Sequence, residues 1–121
     1  MDPRRVLKEN GYSTTIIVEK DAITLHVMNK TISAGQIKLT RGRKYWQTYS
    51  SIGIPHKLRG QGVGLYLYKK LIRYGLKHGF MIRSAYGYQR NVHSNKIWKK
   101  LCKSFTIEKR HNCYYVVGPK S

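Results

Sequence analysis

Acidic side chains are scarce in this sequence: five Asp and Glu stand against 24 Lys and Arg in 121 residues, for a formal net charge of +19. Asp2, Glu9, Glu19, Asp21 and Glu108 are all there is from which to build a carboxylate base. Cysteine is equally sparse. Cys102 and Cys113 belong to no Cys-x-x-Cys pair and the five histidines are dispersed. That excludes a disulfide framework and a zinc knuckle, so reduced structural thiols and no metal are expected. No apolar run approaches the roughly 18 residues of a membrane span. Met1-Asp2-Pro3-Arg4-Arg5 is not followed by the apolar stretch of a signal peptide. An intracellular, cytoplasmic protein is the expectation, with 1–121 forming a single domain, since a chain of this length buries roughly two-thirds of its surface around one core. The charge is uneven. Residues 1–40 hold six basic and four acidic groups, residues 41–121 eighteen basic and one acidic. An acidic partner would meet the later two-thirds.

Apolar periodicity predicts strands over 13–18 and 22–28, a turn at Asn29-Lys30, and a third strand over 31–39 with Gly35 as a bulge or close approach. Residues 45–54, rich in aromatic and β-branched side chains, read as a fourth strand running into Pro55. A helix follows over 63–78, stopped by Gly79, with Leu67, Leu71 and Gly75 on an apolar stripe and Lys69, Lys70, Arg73 and Lys77 opposite. A fifth strand over 80–86 should lie parallel to the fourth, because a helix joins them. A second helix over 94–103 and a hairpin of 105–107 with 113–117, turning at 109–112, complete an α/β (α+β) sheet domain.

Between the fourth strand and the long helix stands Gly60-x-Gly62-x-Gly64, with Arg59 at its lip. A glycine loop opening a helix offers backbone N–H groups and a positive helix end to an anion, and phosphates suit such a cradle. A dinucleotide fold would space its glycines differently and place an acid about 20 residues on, whereas no acid occurs between Gly64 and Glu108. The Gly-Lys-Ser/Thr of a P-loop is also missing.

The stretch Ile54-Pro55-His56-Lys57-Leu58-Arg59-Gly60-Gln61-Gly62-Val63-Gly64 resembles the V-x-P-x-x-R-G-x-G-x-G motif of the GCN5-related N-acetyltransferases, the GNAT family, with His56 where that family has proline. Asn91 to Leu101 is similar to the first part of the family's second motif, N-x-x-A-x-x-L-Y-x-K-L-G-F, whose closing Phe falls two residues late at Phe105. The likeness covers about 22–118. It implies the GNAT acyltransferase fold, a central, mostly antiparallel mixed sheet with splayed fourth and fifth strands and flanking helices, and acetyl-CoA as cosubstrate. It also implies cofactor contacts. Arg59, Gly60, Gln61, Gly62, Val63 and Gly64 would hold the pyrophosphate, Ile52, Gly53 and Ile54 would offer backbone groups to the pantetheine arm, and Asn91 would touch that arm or cap the approaching helix. Gly62 and Gly64 are expected to leave room where a Cβ would intrude. A chain of this small size is also similar to small phage-borne members of the family.

Family members commonly use a Glu near the fourth strand as base and a Tyr on the last helix as acid. Here 45–54 holds no acid, and Trp98 stands at the Tyr position. Three accounts remain open: attack by an amine already deprotonated, a substitute among His26, His56, His93, Tyr49, Tyr86 and Tyr88, with Tyr88 the first choice as acid, or a scaffold without turnover. The catalytic residues are unknown at this level. His111 and Cys113, two apart on an expected strand, would share a face, but no third group completes a nucleophilic constellation.

A cofactor bearing about four negative charges does not account for the basic excess after residue 40. Lys69, Lys70, Arg73 and Lys77, the run Lys96, Lys99, Lys100 and Lys103, and Arg41, Arg43 and Lys44, with ten tyrosines in the chain, suit a polyanion such as DNA or RNA, or an acidic protein. Two functions follow. One is an acetyl-CoA-dependent N-acetyltransferase acting on an amine of an acidic macromolecule or of a protein associated with nucleic acid. The other is a non-catalytic nucleic-acid-binding protein on the same scaffold.

Overall fold

A computed structural model describes residues 2–48, 54–87, 90 and 92–120. It opens with a helix that the apolar pattern did not reveal, α1 (Pro3–Glu9). Asp2 caps it, its carboxylate accepting from the Arg4 N–H at 3.0 Å, and Pro3 starts it with a ready-made helical φ. Those two residues were the available signal. Val6 and Leu7 bury its short apolar side.

Strands β1 (Tyr12–Val18), β2 (Ala22–Asn29), β3 (Ile32–Arg41) and β4 (Trp46–Thr48) form an antiparallel meander. Val27 pairs with Gly35 but Met28 with Ser33, so Ala34 is the extra residue of a bulge beside Gly35. The expected fourth strand, 45–54, is described only as far as Thr48. Helix α2 (Val63–Lys77) then crosses to β5 (Ile82–Arg83), which lies parallel to β4. The C-terminus of α2 winds off through Gly79 at φ +78°, with the Phe80 N–H donating to the Gly75 carbonyl at 2.9 Å.

Helix α3 (Val92–Leu101) begins and ends two residues earlier than its periodicity suggests. Strands β6 (Phe105–Arg110) and β7 (Cys113–Pro119) follow, each longer than expected. Their turn is His111-Asn112, both left-handed at φ 51° and 59°, the backbone of a two-residue primed hairpin. His111 is therefore a turn residue and shares no strand face with Cys113, so the pairing of those two side chains is corrected. Both cysteines are free thiols, with Cys113 buried.

The sheet order is β1-β2-β3-β4-β5-β7-β6. The two parallel pairs, Trp46–Ile82 and Gln47–Arg83, are the whole β4–β5 ladder among the described residues. Past Arg83 the chain turns toward β7, the Ser84 N–H donating to the Tyr114 carbonyl at 2.8 Å. This shortens the fifth strand from the expected 80–86.

Register separates two faces. Ile23, Leu25, Ile37, Leu39, Ile82 and Val116 fall on one, and α2 presses onto it so closely that a Cβ on Gly75 would lie 2.6 Å from Ile82 Cδ1. Helix α3 covers the same face through Trp98, which stacks on Tyr114 at 5.6 Å and meets Tyr68 of α2 edge-on at 6.1 Å. Thr24, Lys38, Thr40, Gln47, Arg83 and Tyr115 point the other way. No helix among the described residues is long and apolar enough to cross a membrane.

Candidate functional site

The chain leaves the undescribed 49–53 at Ile54 and passes Pro55 into a single 3-10 turn, His56–Leu58, whose Leu58 is fully buried and anchors the loop. Gly60 and Gly62 then take φ values of +76° and +77°, a conformation that any side chain strains. A Cβ at either would meet nothing within 4 Å, so the loop's outer surface is open space. Gly62 caps α2 and offers no side chain to its N–H groups. The Tyr66 N–H is satisfied by the Gly62 carbonyl at 3.1 Å, and the earlier donors of the first turn have no intrahelical acceptor. The first turn holds no acid either. N–H groups with no side-chain cap among the described residues, a positive helix end and open space together suit an anion.

A cleft of about 160 Å³ lies over this loop. Ile54, Arg59, Gly60, Gly62, Val63 and Gly64 line it from one side, and His93, Lys96, Ile97 and Lys100 from α3 line it from the other. One phosphate-sized group fits such a volume, and Arg59, Lys96 and Lys100 are exposed cations able to approach it. Lys96 and Lys100, expected only as part of a basic run, therefore stand at the glycine loop. Their spacing is the signal: 93, 96 and 100 share one face of a helix.

Two glycines do different work from that expected. Gly62 opens the cradle, but a Cβ on Gly64 would press against Ile97 Cδ1 at 3.1 Å and Ile54 Cδ1 at 3.3 Å. Gly64 thus permits α2 to meet α3 rather than clearing space for a ligand. Gln61 turns its side chain away from the cleft, donating from Nε2 to the Lys57 carbonyl at 2.8 Å beside α1. Its backbone N–H stays in the loop. Ile52, Gly53 and Asn91 lie outside the described residues, as do Tyr49 and Tyr88.

Among the candidate proton carriers, His93 is exposed at the cleft, and His56 is exposed at the start of the 3-10 turn. His26 sits on the β2–β3 hairpin, its Nδ1 2.9 Å from Ser33 Oγ. Tyr86 is 38% exposed, with the Arg83 guanidinium 4.5 Å above its ring. Trp98 is fully buried core, and its Nε1 has no hydrogen-bond partner among the described residues. Beside it, burial pushes the Tyr68 phenol up to about 12, against the weaker pull of its hydrogen bond with Ser94. Four carboxylates are placed at α1 and the β1–β2 turn: Asp2 caps, Glu9 pairs with Arg5 at 2.8 Å, and Glu19 and Asp21 lie in the turn. Glu108, on β6, is 3.7 Å from Arg110.

Arg90 was invisible to sequence reasoning. Its Nη1 donates to the Ala85 carbonyl at 2.6 Å, the Asn112 carbonyl at 2.7 Å and Ser84 Oγ at 3.1 Å, and its Nε donates to Asn95 Oδ1 at 2.7 Å. One guanidinium thus ties the end of β5, the β6–β7 turn and the first turns of α3 together. It holds the helix that carries His93, Lys96 and Lys100.

The sequence matches no protein-family model and no curated protein. Its fold matches solved structures. A candidate acetyltransferase of the GNAT family from Desulfovibrio desulfuricans superposes with a TM-score of 0.55 at 11% identity, over 79% of this chain and 66% of that one. A candidate streptothricin acetyltransferase from Bacillus anthracis, in complex with acetyl coenzyme A, superposes with a TM-score of 0.56 at 14% identity, over 91% of this chain and 84% of its own. This chain spans just under two-thirds of the first protein's length. What is shared at such identities is architecture, and in that sense the mixed sheet, its parallel β4–β5 pair and the glycine-opened α2 make this the acetyltransferase fold of the GNAT family.

Proposed function

We propose that the protein is an acetyl-CoA-dependent N-acetyltransferase whose acceptor is an amine on an acidic macromolecule or on a protein associated with nucleic acid. One observation carries the donor half. The left-handed Gly60 and Gly62 leave open space before an α2 N-terminus that lacks any side-chain cap, in a cleft rimmed by Arg59, Lys96 and Lys100. These residues fit the phosphates of acetyl-CoA, with backbone N–H groups of the loop and first turn as donors and the three cations as counter-charges. When bound, acetyl-CoA supplies a thioester acyl group that an amine can take, with a thiol as leaving group and one proton released.

The chain's own part is mainly positioning. Residues 52–54 would align the acyl end, and Gly64 and Arg90 keep α3 beside the loop so that Lys96 and Lys100 face it. Placing the amine against the acyl carbon lowers the barrier by replacing a bimolecular encounter. His93 is the one histidine among the residues lining this cleft and stays one of the substitute proton carriers named above. Tyr88 and Asn91 keep the roles given above as proposals, and a cytoplasmic location accompanies them. The alternative, a nucleic-acid-binding protein without turnover, is favoured by the shortage of carboxylates.

Native mass spectrometry of the purified protein, followed by thiol release from acetyl-CoA in the presence of basic proteins with and without DNA, tests the proposal. An enzyme carries a CoA species and releases CoA thiol in step with acetyl-lysine formation. If no CoA species binds and no thiol is released with any acceptor, the transferase reading is wrong.

A further inference from the structure

Helices α1, α2 and α3 all pack on one face of the sheet, and none of the described residues lays a helix on the other. An uncovered face of an antiparallel sheet is solvated and ordinarily polar. Its β1–β3 portion obeys that rule in the main, with Ser13, Thr15, His26, Gln36 and Lys38 facing out and Ile17 and Met28 as its apolar exceptions. The β4–β5–β7 portion does not.

There Tyr45, just before β4, meets Tyr115 of β7 edge-on at 5.0 Å, and the Arg110 guanidinium lies 4.3 Å over the Tyr115 ring. Arg83, paired with Tyr115 across the ladder, covers Tyr86 at 4.5 Å, and Lys44 lies 5.7 Å from the Tyr45 ring. By strand alternation Met81 and Val117 join this face, 47% and 58% exposed. Rings and guanidinium planes thus lie across an open sheet, flanked by exposed apolar groups.

The charge is one-sided. Glu108, the one acid after residue 40, sits here 3.7 Å from Arg110, and among the described residues Arg83, Arg43 and Lys44 form no ion pair within 4 Å. Aromatic rings and guanidinium planes stack on bases, and the cations between them attract the backbone. A duplex hides its base faces and presents phosphates and groove edges, which give the rings nothing to stack on. An acidic peptide would use the cations and leave the rings idle.

We propose that the open β4–β5–β7 face is a docking platform for single-stranded nucleic acid, with Tyr45, Tyr86 and Tyr115 as stacking surfaces and Arg83 and Arg110 as both stacking and phosphate contacts. It deepens the acceptor side of the proposed function by giving the polyanion a place and a strandedness. Its test uses no acetyl-CoA, so it fails or holds apart from acetyl transfer.

Fluorescence anisotropy of the full chain with an oligothymidine of about 16 nucleotides, the same length of duplex and a polyglutamate of matched charge decides the matter. The single strand is expected to bind tightest. Tyr115→Leu and Tyr45→Leu should each weaken it roughly tenfold while leaving the salt slope unchanged, because stacking carries no counterions. Arg83→Gln should lower the slope by about 0.7, one phosphate contact on a single strand. The double variant Lys77→Ala/Lys99→Ala, which removes two exposed charges on the helix-covered side, should weaken binding less than either tyrosine change. Cross-linking the wild-type protein to the oligonucleotide by ultraviolet light requires no variant to fold, and adducts are expected on 43–48, 81–87 and 108–117. The proposal is overturned if duplex or polyglutamate binds as tightly as the single strand, if the tyrosine variants bind like wild type, or if the adducts map to α2 and α3.

Discussion

The two faces of the sheet use the same residue types for opposite ends. On the covered face Trp98, Tyr68 and Tyr114 are buried against one another, and the glycines at 64 and 75 exist to let helices approach. On the open face Tyr45, Tyr86 and Tyr115 lie beside cations while remaining half-buried or exposed, whereas Tyr114, which also has the Arg90 guanidinium 4.8 Å from its ring, is buried. Aromatic content alone therefore says little about function here. The burial of each ring distinguishes core from contact surface.

Substitution sharpens the contrast. The largest effect is expected for Trp98→Ala, which empties a fully buried site and should cost about 3–5 kcal/mol, whereas Tyr115→Ala on the open face should cost about 1 kcal/mol or less. Chemical denaturation of the two variants compares them, and equal losses would dissolve the distinction between the faces. Next comes Arg90→Ala, which strips two carbonyls and two side-chain oxygens of a charged donor at about 1.5–3 kcal/mol. Arg90→Lys should not restore stability, because one ammonium cannot span that fork.

Gly75→Val forces a side chain onto Ile82 and Leu39 and should cost about 1–3 kcal/mol by overpacking. The smallest effect is confined to high pH. Tyr68 has its folded pKa raised to about 12 from an ordinary 10.0, so its contribution is complete below pH 10 and is lost as pH rises toward 12. Tyr68→Phe should flatten that part of the stability profile, and an unchanged profile would show that the phenol is not held neutral by the core.

How much of this was legible in the chain depends on how local the cause is. Repeating apolar positions revealed the three antiparallel strands, α2 and the β4–α2–β5 crossover, because each is encoded within a dozen residues. The glycine loop was legible for the same reason, and Gly62 holds the backbone conformation expected of a cradle. Helix α1 was missed although Asp2-Pro3 announces it, since seven residues are too few for periodicity to show. Gly64 was assigned to ligand clearance, when its neighbours are Ile54 and Ile97, 10 and 33 positions away in the sequence. Arg90 could not have been found, because its acceptors at Ser84, Ala85, Asn95 and Asn112 converge only once the sheet has formed. The open face was hidden for a related reason: Tyr45, Arg83 and Tyr115 become neighbours through strand order, and nothing in their spacing reveals it.

The central claim is that the open, glycine-shaped cleft at the start of α2 holds acetyl-CoA through its phosphates, and calorimetric titration of acetyl-CoA into wild type, Gly62→Ala and Lys96→Ala/Lys100→Ala tests it most directly. The account expects one acetyl-CoA per chain in wild type, and affinity reduced roughly tenfold or more in both variants, through loss of open backbone in one and of charge-assisted contacts in the other. Absence of binding to wild type at millimolar concentration, or binding that neither substitution weakens, would contradict it.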